Sequence, residues 1–306
     1  MNRSIPGARV SHMMAGRHRG KIMATLGPSL FAVACATTPP ADLAGFGRAA
    51  TGLQSDVAIA FAEANRLTRS VEVDRFVRSG AIALSERRFP PAIPPEVAVR
   101  WRTSLSDLAR YGNLLATLTG SGRGGTQTDA FRQLGVQLAS GSTAANLDPG
   151  VAAGFAALAG ALVDLRAQAT ARDILQRTDP DVRKLLTAMA EAVGADDGEG
   201  LRGTVSSNWT AALSAYQRTY AVAASEKAEA RQRQIVADYL AGIDRRDAQL
   251  AALAGLRATL FGLADAHTAA AAGSSRPFDE VLRDVDDRLG RTEAAYRAID
   301  KAGEAR

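Results

Sequence analysis

The chain of 306 residues holds one cysteine, three histidines and two tryptophans, and aromatic residues make up only 5% of it. A single cysteine excludes an internal disulfide framework and a thiolate-rich zinc cluster, both of which need several sulfurs. Lysine is scarce too, at positions 21, 184, 227 and 301, so arginine carries most of the positive charge. No alternating apolar–polar run persists, which removes the signature of half-buried strands, and no internal repeat is evident. A Gly-x-Ser-x-Gly elbow, the usual seat of a serine nucleophile in α/β hydrolases, is missing as well.

The histidine shortage narrows the chemistry further. His12 and His18 lie in an N-terminal stretch that reads as a removable signal, which leaves His267. One histidine and one cysteine cannot build a His-rich zinc site or a cysteine cluster, and a Ser-His-Asp triad has only His267 to draw on. His267 sits in Leu263-Ala-Asp-Ala-His-Thr-Ala-Ala, near the end of an Ala-rich helix. The plainer reading is a polar residue favoured there by the helix dipole, not a catalytic base. The sequence therefore predicts no enzyme, no cofactor and no metal site.

The N-terminus carries a pattern of its own. Arg3, Arg9, Arg17, Arg19 and Lys21 precede an apolar run over residues 22–34, then Cys35-Ala-Thr-Thr-Pro-Pro. A bilayer-spanning helix needs roughly 20 apolar residues, and this run is shorter and interrupted by Gly27-Pro28. Basic start, short apolar run and small-residue cleavage site together read as an export signal. Ala32-Val33-Ala34-Cys35 resembles the processed segment of bacterial lipoproteins, over the signal region alone. That resemblance implies fatty acylation of Cys35, for example with palmitate, and makes it the mature N-terminus. By the same resemblance, Ala36 rather than Asp after the cysteine implies delivery to the periplasmic side of the outer membrane. The sequence departs from the family in having Ala32 where Leu is usual. Ala32-Val33-Ala34 also satisfies an ordinary signal peptidase, which cuts the same bond and leaves a soluble periplasmic protein. The expected organisation is a signal peptide over 1–34, a lipidated cysteine and tether over 35–41, and one helical-bundle domain over 42–306.

This reading changes the charge argument. The whole chain has formal charge +5 and a pI near 9.7. Residues 1–34 hold five of its 37 basic and none of its 32 acidic residues, so residues 35–306 balance at 32 of each. Binding to nucleic acid needs clustered cationic charge, and the balanced remainder predicts neither such a partner nor surface attraction to anionic lipid. Membrane attachment is expected through the anchor.

Apolar spacing predicts helix throughout. Leu43, Phe46, Ala50, Leu53, Val57, Ala60, Ala64, Leu67 and Val71 alternate gaps of three and four, with a continuation expected toward residue 84. The proline cluster over 88–95 stops it. Further stripes run through Trp101, Leu105, Leu108, Tyr111, Leu115 and Leu118, then Phe131, Leu134 and Leu138 behind a cap at Thr128-Asp129. Another carries Val151, Phe155, Leu158, Leu162, Leu165 and Ala169. Thr178-Asp179-Pro180 reads as a helix start, leading Val182 to Val193 into a glycine-rich break over 194–203. The longest tract follows Thr204, through a polar middle over 225–234, to Leu263. A last helix begins after 274–277. The predicted fold is all-α, a bundle of long, mostly antiparallel helices with Gly/Pro connectors.

Three segments invite a functional reading. Gly120, Gly122 and Gly125 match G-x-G-x-x-G, but a helix precedes them where dinucleotide binding needs a strand, so a helix stop and loop is the expectation. Asp284, Asp286 and Asp287 lack calcium-loop spacing and are flanked by arginines. Trp209, Tyr216 and Tyr220 line one helix face. Core packing accounts for them, and a ligand groove is the sharper alternative, with Trp101 and Tyr111 as opposite walls. The expected function is a lipid-anchored periplasmic scaffold or adaptor of the bacterial envelope with a protein partner. The alternative is a periplasmic small-ligand-binding or sensing bundle using Trp209, Tyr216 and Tyr220.

Overall fold

Apolar stripes at helical spacing need partners, and the chain supplies them to itself. A computed structural model describes residues 43–304, apart from 122–124, 143–147 and 167–168. Cys35, the signal and the tether lie outside the described residues, as does the centre of the 120–125 glycine run. Among the described residues there are eight α-helices, one 3₁₀ turn and no strand, so the fold is all-α. The helices are α1 (Leu43–Arg78), α2 (Pro95–Ser121), α3 (Gly125–Ser142), α4 (Pro149–Val163), α5 (Ala171–Val193), α6 (Gly200–Ser225), α7 (Glu229–Ala271) and α8 (Ser275–Glu304). One contiguous core draws on all eight, and α7 packs against α1, α5, α6 and α8. No helix among the described residues is long and apolar enough to cross a membrane.

The first stripe is buried as its spacing demands, from Leu43 through Phe46, Leu53, Val57 and Ala64 to Val71. The helix does not run on to residue 84. It ends at Arg78, where Ser79 caps back onto Arg75 and Phe76 and Gly80 turns the chain at φ 66°. A segment without regular structure follows to residue 85, then a 3₁₀ turn over Glu86–Arg88. The Pro-rich return is pinned to α1 by Asn65, which accepts from Ile93 N–H at 2.8 Å and donates to its carbonyl at 3.0 Å. Near the other end of α1, α1 and α2 cross closely: a Cβ on Gly112 would lie 2.8 Å from the backbone nitrogen of Gly47. Only hydrogen at that position lets the two backbones approach so near.

Several helix boundaries depart from the sequence expectation, each for a local reason. Thr128 does not cap α3 but lies buried inside it, because the helix begins a turn earlier. α4 stops at Val163, short of the predicted Ala169. α5 starts at Ala171, not at Pro180. Thr170 and Asp173 form a reciprocal capping box that satisfies the first-turn donors, and Pro180 is carried within the helix. Pro180 forgoes one backbone bond there. The acidic residues 284, 286 and 287 fall inside α8, where Asp284 pairs with Arg288 one turn on.

The 194–203 break is a compact bulge between two helices that follow one another along α7, with Asp179 of α5 opposite His267 and Trp209 of α6 opposite Gln249. Gly194 and Gly200 both take positive φ, and a Cβ on Gly194 would collide with the Glu199 carbonyl. The tract expected as one long helix is instead a hairpin. α6 ends at Ser225, Lys227 adopts φ 54°, and α7 departs at Glu229. Ala223 faces Gln232 and Leu213 faces Gly242, so the two helices run back along each other. The polar stretch over 225–234 is thus the turn of a hairpin and the start of its second arm.

Candidate functional site

The alternation of three and four along α7 does not stop at Leu263. Leu253, Leu256, Leu260 and Leu263 are buried on one stripe, and the next position four residues on is His267. The imidazole is buried, 1% exposed, between Phe46 of α1 and Tyr111 of α2, with ring centroids 5.7 Å away in each case. It does lie near the C-terminal end of α7, as its sequence context predicts, but inside the core rather than at a helix end held by the dipole alone. A buried polar ring needs partners for both nitrogens. Nδ1 lies 2.9 Å from Asp179 Oδ1 and Nε2 lies 2.9 Å from the Tyr111 hydroxyl. Tyr111 in turn meets Thr178 Oγ1 at 2.6 Å, and Thr178 lies 2.8 Å from the Ile174 carbonyl one turn back. Thr178 and Asp179, the residues that suggested a helix start, are the α5 contribution to this cluster.

The protonation states follow from the partners. The hydrogen bond from His267 holds the Asp179 carboxyl below the usual carboxylate range, against the effect of its partial burial, and Thr268 adds a second donor at 2.9 Å. An ionised carboxylate only accepts, so Nδ1 carries the proton. Burial pushes His267 below its ordinary value, opposed by Asp179, so at neutral pH Nε2 is a bare acceptor. Tyr111 therefore donates to His267, and Thr178 donates to Tyr111. If His267 takes up a proton, Nδ1 still donates to Asp179 and the donors beyond it reverse: Nε2 donates to Tyr111, Tyr111 to Thr178, and Thr178 to Ile174 O. Both arrangements pair every buried polar atom of this cluster.

An Asp–His–hydroxyl series has the order of a nucleophile-activating relay. Here the hydroxyl is sealed. Tyr111 and Thr178 are fully buried, and burial above all pushes the Tyr111 phenol further up from its usual range. The exposed end is Asp179, whose side chain is 22% accessible beside Thr268 and Arg183. A substrate cannot reach the oxygen that would attack, so the cluster is an interlock of α2, α5 and α7, with α1 and α3 supplying Phe46 and Phe131 as ring contacts.

The three aromatic residues marked in the sequence do share a face of α6, and the structure divides them. Trp209 belongs to the core, its indole N–H donating to Gln249 Oε1 of α7 at 2.8 Å. Tyr216 is half-buried and Tyr220 is 40% exposed. Tyr216 and Tyr220, with Gln217, Ile235, Val236 and Tyr239, line an open groove of about 270 Å³ between the arms of the α6–α7 hairpin. Trp101 and Tyr111 do not form its opposite wall. Trp101 packs edge-on against Phe61 of α1, Tyr111 lies in the interlock, and α7 supplies the wall instead. Among the described residues no group of three or more His, Cys, Asp or Glu side chains is placed to hold a metal ion.

Exposed apolar side chains gather near this groove. Of the eleven large ones exposed among the described residues, Val73, Val77, Ile82, Leu84, Tyr220, Val222, Val236 and Leu240 lie on the last turns of α1, the segment after it, or the outer half of the hairpin. An ion pair from Asp74 of α1 to Arg218 of α6 places these elements at one end of the bundle. Comparison of the chain with protein-family models, with curated proteins and with solved structures gave no match.

Proposed function

We propose that the chain is a non-enzymatic, lipid-anchored scaffold or adaptor of the bacterial cell envelope. It is held through Cys35 on the periplasmic side of the outer membrane and docks a protein partner on the α6–α7 hairpin. The observation that carries the reading is the contrast between the two ends of α7: its His267 end is sealed in packed core, whereas its hairpin end exposes an apolar groove. Contiguous exposed apolar surface on a folded protein marks interaction sites. The groove fits the reading in its openness as well. Small-molecule pockets enclose most of their ligand. This one is open to solvent along the hairpin and suits the protruding side chains of a partner helix. Anchoring rests on the signal-like segment and on Cys35, and implies that Cys35→Ser abolishes fatty-acid labelling and membrane partitioning.

The test is co-purification from envelope membranes with the anchored protein as bait. A specific partner should be lost when Tyr220 and Val236 are both replaced by Ala, with helix content unchanged. Retention of every partner by that variant would overturn the docking assignment. The second reading, a small apolar ligand between the same tyrosines, is favoured by the three phenols converging on one groove. Under it, the purified protein should gain thermal stability from the ligand without any partner present.

A further inference from the structure

Ile82 and Leu84 are the most exposed large apolar residues described, at 98% and 80%, followed by Val77 at 70%. They do not line a groove. They stand on and beside the short segment that leaves α1, where residues 81–84 are in no regular structure and make no backbone hydrogen bond among the described residues. Protruding apolar side chains of this kind are suited to entering the interfacial layer of a bilayer. Val222 reaches the same region, lying one turn beyond Arg218 on the face of α6 turned toward α1.

The charge around them is not that of the whole chain. Residues 69–88 and 218–233 hold nine basic against five acidic side chains, although residues 35–306 are balanced overall. Pairs within the cluster take up both signs: Glu72 with Arg75, Asp74 with Arg78 and Arg218, Glu226 with Arg231 and Glu229 with Arg233. Arg69 and Arg87 form no salt bridge among the described residues, and Arg88 rests over the Phe76 ring. The chain enters the bundle at the first residue of α1, so this basic, apolar tip lies a helix of 36 residues away from that point, about 54 Å at 1.5 Å per residue.

We propose that this tip is a peripheral contact site for an anionic phospholipid bilayer, with Ile82 and Leu84 entering the interface and the surrounding arginines pairing with lipid phosphates. Interfacial binding of this kind adds buried apolar area to attraction for anionic lipid, and needs no spanning helix. Arginine suits the task because its planar fork pairs with phosphate oxygens in many orientations. Each basic residue held near an anionic surface strengthens binding about fivefold. The site needs no acylation at Cys35, and it gives a scaffold a second surface, beside the groove, on which to rest.

The test uses the full chain carrying Cys35→Ser, so that no acyl anchor contributes, with Ile82→Cys labelled by a polarity-sensitive fluorophore. Emission should shift to shorter wavelength with vesicles containing phosphatidylglycerol and remain unchanged with phosphatidylcholine alone. The same label at Val163, on α4, should stay silent with both. Adding Arg87→Gln and Arg88→Gln should weaken the response roughly 25-fold, two charges at about fivefold each. A silent label at Ile82 would overturn the proposal, as would one that responds equally to neutral vesicles or to the arginine variant. An Ile82 label that responds only to an envelope protein, and never to vesicles, would assign the tip to a protein partner instead.

Discussion

Replacing Tyr111 by Phe removes one oxygen from the centre of the interlock and leaves the ring in place. The phenyl keeps its edge contacts with Phe46 and Phe131, so no cavity opens. Two hydrogen bonds disappear, but the two partners fare differently. Thr178 can turn its hydroxyl to the Ile174 carbonyl, already 2.8 Å away. His267 Nε2 has no second partner and becomes a buried acceptor without a donor. Such an orphan costs about 1–3 kcal/mol. For a domain of this size each kcal/mol moves Tm by about 2–4 °C, so the variant should melt roughly 2–12 °C lower at neutral pH. Thr178→Val tests the same bond from the other side. Both single variants lose the Tyr111–Thr178 hydrogen bond and the double variant loses it once, so their costs should fall short of additivity by about 1 kcal/mol. Urea denaturation with an unchanged slope would provide the numbers. A Tyr111→Phe protein as stable as the parent, or strictly additive costs, would show that the cluster is not a coupled network.

Acid should loosen the fold through the same residues. His267 has a folded pKa below its ordinary 6.5, so the unfolded chain binds the proton more readily. Stability should be level above pH 6.5 and fall below it, by at most about 1.4 kcal/mol per pH unit, and His267→Gln should flatten that slope in denaturation across pH. Asp179, held below its ordinary 3.8 chiefly by His267, adds a second loss that begins only below pH 3.8. Two glycines should respond to alanine with opposite signs. A Cβ on Gly160 meets nothing within 4 Å, so Gly160→Ala should raise stability by about 0.5–1 kcal/mol. Gly112→Ala should lower it despite the better helix propensity, because its methyl meets the Gly47 backbone at 2.8 Å; thermal melts of the pair decide the matter. Lys227→Gly should relieve the left-handed conformation at the hairpin turn and be neutral to slightly stabilising, whereas Lys227→Val should cost about 1–2 kcal/mol by the same melts.

Period was what the sequence made most legible. The α1 stripe, the α2 stripe through Trp101 and Tyr111, and the glycine stop at 120 all follow from three–four spacing and from residues that punctuate helices. Boundaries written in side-chain chemistry were harder. Thr178-Asp179-Pro180 has the composition of a helix start, yet the competing box at Thr170 and Asp173 starts the helix at Ala171, nine residues before Pro180. The turn at Lys227 carries no glycine or proline, and helix-prone residues surround it. Only packing of α6 back along α7 forces the reversal. The interlock joins positions 111, 178 and 267, whose partnership no local pattern encodes. One part of it was readable: extending the α7 stripe by four residues from Leu263 puts His267 on the buried face. The outer groove was readable in half, since Tyr216 and Tyr220 share a face of α6, while its second wall on α7 depended on the hairpin.

The uneven burial along α7 also sets where the native state breathes. Between Gln249 and Ala271 buried residues recur at nearly every turn, but before Gln249 only Ile235 and Gly242 are buried. Segments with sparse burial open by local fluctuations far cheaper than global unfolding, so their amides exchange with solvent sooner. Amides of the outer hairpin should therefore lose protection while those around His267 persist to the global limit. Under the proposed docking, the half of α7 that takes a partner is also the half that must be quieted on binding. Affinity there will carry an entropic penalty that the sealed end never incurs.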